Sequence, residues 1–375
     1  MSMKRIVTIL LLCVSCANAV SAGDVTGADT LLATALTDSV GNIPEQPRES
    51  RFKRFIRLIT EVDTNYIEEN KYHAAAMVLG EKTFTTYRLS AKDENGNEQT
   101  LEFNQKRPFK VGPYIGYSLL FLGHTFDISA NQFVQGHSEF CLSVYSRFIG
   151  IDYYYESGKG GYRFDKVSGI DCNWRDIVGK SFGGLHTYLQ NWHVYYLFNN
   201  KRFSYPAAYS QTTNQRRSCG SFILGFNYTK ERINFDYTQL PSSFLRDSNG
   251  NDILNEQFKI QSVKYNDYSL SLGYAYNWVF LKNCLANLTL SPTVGYNLAD
   301  GEKFSTHEKL FKLDELNFDF ITRASVVWNN SKYYAGAALV GHTYSYRTPT
   351  ISIHNARFTL SLYAGFNFLR KKSKK

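Results

Sequence analysis

The residues of this chain that could do chemistry are scattered rather than clustered. None of the eight histidines is followed two positions later by serine, the spacing that would put a base and a nucleophile on one face of a β-strand. His137 and Ser138 are adjacent, so in a strand their side chains point to opposite faces. No His, Cys or Asp cluster has the spacing of a metal site. The sequence therefore predicts no catalytic residue, no metal ligand and no cofactor.

Charged residues instead recur on one face of strand-like segments. The charges predicted to point inward are Lys110, Asp127, Glu139, Asp152, Arg232, Asp236, Asp267, Glu315, Asp319 and Arg323. An Arg or Lys on a lipid-facing surface at mid-depth costs about 2–4 kcal/mol, which forces charges that alternate with apolar residues to face the lumen. The main lumen candidates are Asp127, Asp152, Arg232, Asp236, Asp319 and Arg323.

These inward charges have two alternative roles. A polar lumen would pass or bind small hydrophilic solutes, whereas a satisfied ionic network would brace a narrow, closed barrel. We favour bracing for any single residue. Asp319 and Arg323 are four residues apart on one strand, a separation of about 13 Å. Each must therefore find its partner on another strand, and the same holds for Arg232 and Asp236.

The elements that carry these charges are predicted strands with two unlike faces. In the last strand every even position from Phe358 to Phe368 is apolar, and the odd positions are small or polar apart from one Tyr. Similar alternation runs through 267–278, 285–298 and 315–328. The 27 Tyr and 27 Phe residues would supply two aromatic girdles. We predict an all-β fold: a transmembrane antiparallel up-and-down β-barrel of about 12–14 strands, even in number, whose last strand turns its even face to lipid.

Short and long connections alternate between the predicted strands. Short turns are expected at 229–231 and 281–283, and longer polar segments at 199–217 and 239–262. Tight turns of outer-membrane barrels are periplasmic and long loops are external, which would put both termini in the periplasm. The segment 157–190 contains GYRFDKVSG and is ambiguous.

The segment 199–217 is the best candidate for a constriction. It interleaves aromatic residues with the cations Arg202, Arg216 and Arg217. It is predicted either to fold inward as an outer loop that narrows the lumen or to remain an ordinary solvated loop, and we slightly favour the solvated loop.

The two ends of the chain predict export. Residues 1–22 have the basic start, apolar run and small residues of a signal peptide; lipid attachment at Cys16 is the alternative. Residues 23–65 are predicted to be a periplasmic linker with a short basic amphipathic helix, 66–369 the outer-membrane barrel and 370–375 a basic periplasmic tail. The remaining cysteines are far apart, so unpaired thiols are favoured over a disulfide.

The predicted location is the outer membrane of a Gram-negative cell. The partners expected there are outer-membrane lipid, the barrel assembly machinery and small hydrophilic solutes. Export argues against a nucleic-acid partner, and the formal net charge of +9 is better matched by anionic lipid surfaces.

Four stretches carry a family resemblance: VDTNYIEENKY at 62–72, KVGPYIGYSLLFLGHTFDI at 110–128, FCLSVYSRFIGIDYYY at 140–155 and NNKRFSYPAAYSQTTNQRRSCGSF at 199–222. They resemble a Bacteroidota family of outer-membrane barrels described only as a domain of unknown function, over about 60–369. The resemblance implies a compartment and a fold, and it carries over no activity and no functional residue.

Three hypotheses of function follow from the sequence. The leading one is a non-catalytic outer-membrane barrel that works as a pore, transporter or envelope scaffold with a charged polar lumen. The second is an outer-membrane enzyme acting on lipid or glycan. The third is a secreted soluble β-protein that binds a ligand.

Overall fold

The computed structural model describes residues 61–371 except 106, 118–119, 129–137, 172–174, 176, 247–248, 260–261 and 300–315. The predicted signal peptide, the amphipathic helix, the end of the basic tail and Glu315 lie outside the described residues. The strands are β1 (Ile67–Glu69), β2 (Tyr72–Lys92), β3 (Glu98–Gln105), β4 (Lys110–Tyr117), β5 (Leu120–Gly123), β6 (Phe126–Asp127), β7 (Ser138–Tyr145), β8 (Ile149–Lys159), β9 (Tyr162–Ser168), β10 (Ser181–Phe182), β11 (Leu185–Leu197), β12 (Thr213–Gln215), β13 (Cys219–Phe235), β14 (Ser262–Leu281), β15 (Cys284–Ala299), β16 (Leu316–Asn329), β17 (Tyr333–Arg347) and β18 (Ile351–Arg370).

Helices are few and short in the described part of the chain. The α-helices there are α1 (Tyr205–Tyr209) and α2 (Ser242–Leu245), and 3₁₀ turns lie at Tyr237–Gln239 and Glu256–Lys259. None of the described helices has the length and apolar character needed to cross a membrane.

Almost every strand belongs to one 16-stranded antiparallel sheet. From β11 through β13 to β18 each strand pairs with the next one along the chain, and β18 pairs with β2. The strands β3, β9 and β10 continue the sheet beside the second half of β2 only, because β3 pairs with residues 85–92 of β2 while β4 pairs with residues 74–81. Without those three, and with β5 and β6 counted as one interrupted strand, twelve of the described strands form the wall. The predicted all-β, antiparallel fold is confirmed.

The wall has an apolar outside and a polar inside. On β14 the side chains of Leu270 and Leu272 are exposed, whereas those of Ser269 and Ser271 are buried. A strand points successive side chains to opposite faces, so the alternation in the sequence becomes two separate surfaces. The last strand also has its apolar side chains on the outside, since Leu362 is exposed. The even face of β18 is therefore the outer one.

The wall curls until distant strands meet across its interior. In the order of the sheet, four strands separate β16 from β8, yet Arg323 of β16 donates to Asp152 of β8 at 2.5 Å. Among the described strands no backbone ladder joins β7 to β4, β5 or β6, so the barrel is not closed by hydrogen-bonded strands along that line. Side chains cross it, since Lys110 Nζ donates to Glu139 at 2.8 Å.

The two ends of the curled sheet differ. One end holds tight turns such as 282–283 and 330–332, together with the start of β2 and the end of β18; we call it the short-turn end. The other, the long-connection end, is covered by an apolar cluster that includes Phe103, Phe164 and Phe244. Tyr162–Ser168, ambiguous in sequence, is strand β9, which pairs with β3 at this long-connection end.

Two predicted connections are wrong. β13 runs unbroken from Cys219 to Phe235, so no turn occurs at 229–231. The reason is that Thr229, Glu231 and Ile233 continue the buried face without interruption. The segment 199–217, predicted to be an outer loop, joins β11 to β13 at the short-turn end and folds into the barrel.

Candidate functional site

An ion pair near the middle of the interior is the first part of the site. The Arg323 side chain is 2% exposed and donates to Asp152 at 2.5 Å and to the Tyr145 hydroxyl at 3.2 Å. Its guanidinium carbon lies 5.3 Å from the ring centre of Tyr195. His193 Nδ1 lies 3.6 Å from Asp152. A buried charge is tolerated only when it is paired and hydrogen-bonded, so this group braces strands on opposite sides of the interior.

A second ionic cluster gathers around Glu139. Its carboxylate accepts from Arg357 at 2.8 Å and from Lys110 at 2.8 Å, and it lies 3.5 Å from Arg107. Arg107 also pairs with the buried Glu156. The cluster therefore links β18, β8, β7 and the segment around β4 through the interior.

A third buried carboxylate, Glu231, was missed by the sequence reasoning. It accepts from the Tyr265 hydroxyl and, at 3.0 Å, from Asn355 Nδ2. The signal that could have found it is the alternation of β13, in which Glu231 shares a parity with Ile233 and Phe235. The predicted turn at 229–231 broke that parity.

Asp319 holds a polar group near the long-connection end. It accepts from Ser345 Oγ at 2.7 Å, from the Ser345 backbone N–H at 3.1 Å and from Thr343 Oγ1 at 3.0 Å. Ser345 Oγ also lies 3.0 Å from His354 Nδ1, because the two residues are directly opposed on β17 and β18. Sequence spacing does not reveal this serine–histidine contact, since it depends on strand register.

The six predicted lumen residues separate into two groups. Asp152, Asp319 and Arg323 are buried on the inner face. Asp127 is exposed. Two further assignments need correction: Arg232 is exposed on the outer parity of β13, and Asp236 lies beyond the end of that strand.

Asp236 caps the 3₁₀ turn Tyr237–Gln239. The Thr238 hydroxyl donates to it at 2.6 Å and Gln239 Nε2 at 2.8 Å. Hydrogen bonds from Thr238 and Gln239 hold the pKa of the Asp236 carboxyl below its usual value. Its partners are thus those of a turn, because β13 ends at Phe235.

Residues 199–217 form a plug at the short-turn end. α1 begins after Ser204, which caps it by accepting from the Ala207 N–H at 3.2 Å. Tyr205 is fully buried, and its hydroxyl donates to Thr289 at 2.8 Å, while the Tyr209 hydroxyl donates to Asn287 at 2.7 Å. Both partners are on the inner face of β15, so the plug occupies this end of the interior. The solvated loop that we favoured from the sequence is therefore wrong, and the inward folding considered as its alternative is present, at the opposite end from the one expected.

The rings of the plug continue into the central ion pair. Tyr209 stacks on Tyr145 with ring centres 5.5 Å apart, and Tyr205 contacts Tyr195 at 5.6 Å. Tyr145 and Tyr195 are the aromatic residues that contact Arg323. The plug and the ionic network therefore form one packed assembly.

Residues 61–70, which we call the strap, lie across the plug. β1 pairs with β12 through Ile67 with Gln215, Glu68 with Asn214 and Glu69 with Thr213. Two of the three predicted loop cations contact acids of the strap: Arg202 lies 3.2 Å from Asp63, and Arg216 lies 3.2 Å from Glu68. The guanidinium carbons of Arg202 and Arg217 lie over the Tyr66 ring, 5.1 and 5.9 Å from the ring centre.

The described part of the chain contains no assembled metal site and no disulfide. No group of three or more His, Cys, Asp or Glu side chains there is placed to hold a metal ion. Cys141, Cys219 and Cys284 are free.

The family comparison gives a match over most of this structure. Residues 61–368, from the strap to the last wall strand, match the family described as "Domain of unknown function (DUF4421)". The chain belongs to this family. No curated protein matches it.

Three solved structures show the kind of protein to which this DUF4421 member is similar. One is the outer membrane protease OmpT from Escherichia coli, at 7% identity and a TM-score of 0.34, with 80% of this chain and 98% of that chain covered. A second is a bacterial polysaccharide outer membrane secretin, at 9% identity and a TM-score of 0.28, with 80% of this chain and 99% of that chain covered. A third is the P. putida toluene transporter TodX, at 7% identity and a TM-score of 0.24, with 79% of this chain and 91% of that chain covered. The architecture of the DUF4421 chain rests on its own strand pairing and not on these weak likenesses.

Proposed function

We propose that the protein is an integral outer-membrane β-barrel without catalytic activity, and that it acts as a plugged conduit for small hydrophilic solutes. One observation carries the proposal: a wall with an exposed apolar exterior surrounds a buried, charged interior whose short-turn end holds a folded plug. An apolar exterior suits lipid, and a polar interior suits water or polar solutes.

The exterior supports the membrane part of the proposal. Large side chains such as Phe222, Leu272, Phe318 and Phe320 are exposed together on the outer face. A soluble protein rarely leaves so much contiguous apolar surface in water. Trp278 and Trp328 are exposed near the short-turn end, where an aromatic girdle would meet the membrane interface. In the proposed orientation this end and both chain termini are periplasmic.

The interior supports a conduit that is closed at rest. The ionic clusters around Arg323 and Glu139 join wall strands across the interior, and the plug contacts wall strands on several sides. Passage of a solute would require the plug to move at the short-turn end and the apolar cluster to open at the long-connection end.

The experiment that tests the proposal has two steps. Envelope fractionation of a producing host, followed by gel migration with and without boiling, should show outer-membrane location and a heat-dependent shift. Planar-bilayer recording of the folded protein should then show a mostly closed state and larger conductance when residues 199–217 are deleted. Recovery as a soluble protein without a shift would overturn the barrel. A folded deletion variant without conductance would leave a scaffold in place of a conduit.

An enzyme is the second candidate, because Ser345 Oγ contacts His354 Nδ1 at 3.0 Å. In a serine hydrolase the histidine takes the hydroxyl proton, whereas here Ser345 has the shorter contact with Asp319, at 2.7 Å. We therefore expect no covalent labelling by a fluorophosphonate probe. Labelling that disappears in Ser345→Ala would favour the hydrolase.

A further inference from the structure

The plug covers a set of uncharged polar groups on the inner wall. Thr289 accepts from Tyr205, Asn287 accepts from Tyr209, and the Tyr363 hydroxyl accepts from Gln211 Nε2 at 2.9 Å. Asn277 Nδ2 donates to the Ser204 carbonyl at 2.9 Å. The wall beneath the plug is thus lined by amides and hydroxyls. We call the part of the interior that these wall residues line, now filled by the plug, the chamber; its lining residues are Asn277, Asn287, Thr289 and Tyr363.

The chemistry of the chamber matches a solute rich in hydroxyl groups. Amides and hydroxyls each supply a donor and an acceptor, so they pair with sugar-like hydroxyls as they now pair with the tyrosine hydroxyls of the plug. Tyr145 and Tyr195, now packed on plug rings, would offer apolar faces to a sugar ring. The nearest charges, Arg323 and Asp152, are already paired, so the chamber does not call for a charged solute.

The strap holds the plug in place by backbone pairing and opposite charge. Besides the β1–β12 ladder, the Arg216 N–H donates to the Tyr66 carbonyl at 2.7 Å, and the Asp63 N–H donates to the Lys201 carbonyl at 2.9 Å. Acids of the strap face cations of the plug, with Lys201 Nζ 2.9 Å from Glu61 in addition to the Arg202–Asp63 and Arg216–Glu68 pairs. Exposed ion pairs are individually weak and screened by salt. These contacts can therefore be released without unfolding the wall.

We propose that the strap is a latch on the plug, and that its release opens the chamber to uncharged, hydroxyl-rich solutes. This rests on the proposed function, since it needs a membrane barrel with a conduit. Release moves Tyr205 and Tyr209 away from the wall, and solute hydroxyls take over their partners Thr289 and Asn287. Among the described contacts of the plug, the exposed ion pairs are those with the strap, so salt acts on these contacts first.

Reversal of the latch charges gives the main test. The Asp63→Lys/Glu68→Lys protein is reconstituted in proteoliposomes, and swelling is measured with raffinose and with a sugar acid of similar size. We expect at least tenfold faster raffinose entry than in the native protein and clearly slower entry of the acid. Adding Arg202→Glu and Arg216→Glu should restore slow entry, because the opposite charges are re-formed. Glu94→Lys, an exposed reversal at the long-connection end, should leave entry unchanged.

Two further measurements keep the test decisive. Native protein at high salt should admit raffinose faster than at low salt. In a background without the native cysteines, the register partners Glu68→Cys and Asn214→Cys should, when oxidised, abolish that salt effect, because opposed strand residues are close enough for a disulfide.

The outcomes separate the latch from the barrel. Each variant is first checked for a heat-dependent gel shift; loss of the shift in native protein would defeat the proposed function itself. Folded, latch-reversed protein with no faster raffinose entry would overturn the latch. Faster entry without preference for the neutral sugar would overturn the solute class.

Discussion

At the scale of single residues, buried charge is the strongest constraint on this interior. Arg323 and Asp152 are both on the inner face and pair with each other. Desolvating two ions is costly, and the pair is tolerated because each satisfies the other. The removal of one partner should therefore be far more damaging than the removal of both.

Arg323→Met should lower the free energy of unfolding by about 3–5 kcal/mol, because Asp152 would be left buried without its cation. The double variant with Asp152→Leu should recover much of that loss. Urea titration of the lipid-folded protein, followed by the heat-dependent gel shift, measures both. Arg232→Met, an exposed arginine, should change the free energy of unfolding by no more than about 0.5 kcal/mol. Equal losses in single and double variants would contradict the bracing role.

The strap should respond to acid through Asp63. The Asn65 N–H donates to its carboxylate at 3.0 Å, and this bond, with smaller contributions from the Asn65 side chain and Arg202, holds the pKa of Asp63 below its usual 3.8. The contribution of Asp63 to strap docking is therefore present above about pH 4 and is lost as the pH falls through the lowered pKa. A nitroxide on Thr64→Cys in a background without the native cysteines should gain mobility in that range.

Asp63→Asn gives the control for this pH dependence. It should dock more weakly at neutral pH and lose the part of the pH response that Asp63 supplies. Identical mobility curves with and without the Asp63→Asn substitution would show that another group controls docking at low pH.

Sequence patterns reached some of these residues and missed others for a physical reason. Asp152, Asp319 and Arg323 lie in unbroken strands, so a period of two assigns their face correctly, and the need for partners on other strands follows from geometry. Arg232 was misassigned because a turn was placed inside β13, and one shift of parity exchanges the two faces. The contact of Ser345 with His354 depends on register between strands, which alternation does not specify.

At the scale of elements, the wall follows from alternation and the two coverings do not. The plug and the strap come together over more than 130 residues of sequence, and no periodic signal links Glu68 to Asn214. The apolar cluster at the long-connection end joins β3, β9 and β10 to α2, which are short segments with weak patterns. Their packing is set by tertiary contacts rather than by local preference.

The apolar cluster should unfold separately from the wall. Phe244 of α2 is fully buried and stacks on Phe164 with ring centres 5.7 Å apart. Phe244→Ala should destabilise the cluster by about 3–5 kcal/mol. Hydrogen exchange should then rise in β3 and β9 while β14 and β15 remain protected. Phe222→Ala, on the exposed outer face, should leave exchange of β3 unchanged, and a rise throughout the wall in Phe244→Ala would contradict a separable cluster.

At the scale of the whole molecule, the question is which solvent the outer face meets. The outer face is apolar over the part of β14 from Leu270 to the aromatic Trp278, and polar residues follow at the turn 282–283. Such a profile fits a hydrocarbon layer that ends near the tryptophan. If the same face met water, this contiguous apolar surface would be fully hydrated, which soluble proteins rarely tolerate.

One strand can report on that solvent through two identical substitutions. In lipid, Leu272→Arg places a cation near mid-depth and should cost about 2–4 kcal/mol, whereas Leu281→Arg, beside the turn, should cost about 0–1 kcal/mol. Both leucines are highly exposed, at 60% and 64%, so in water neither substitution should cost much more than about 0.5 kcal/mol. Unfolding titrations in liposomes measure the difference. A gap between the two variants would mean that lipid surrounds β14, and two equally small effects would mean that its outer face meets water.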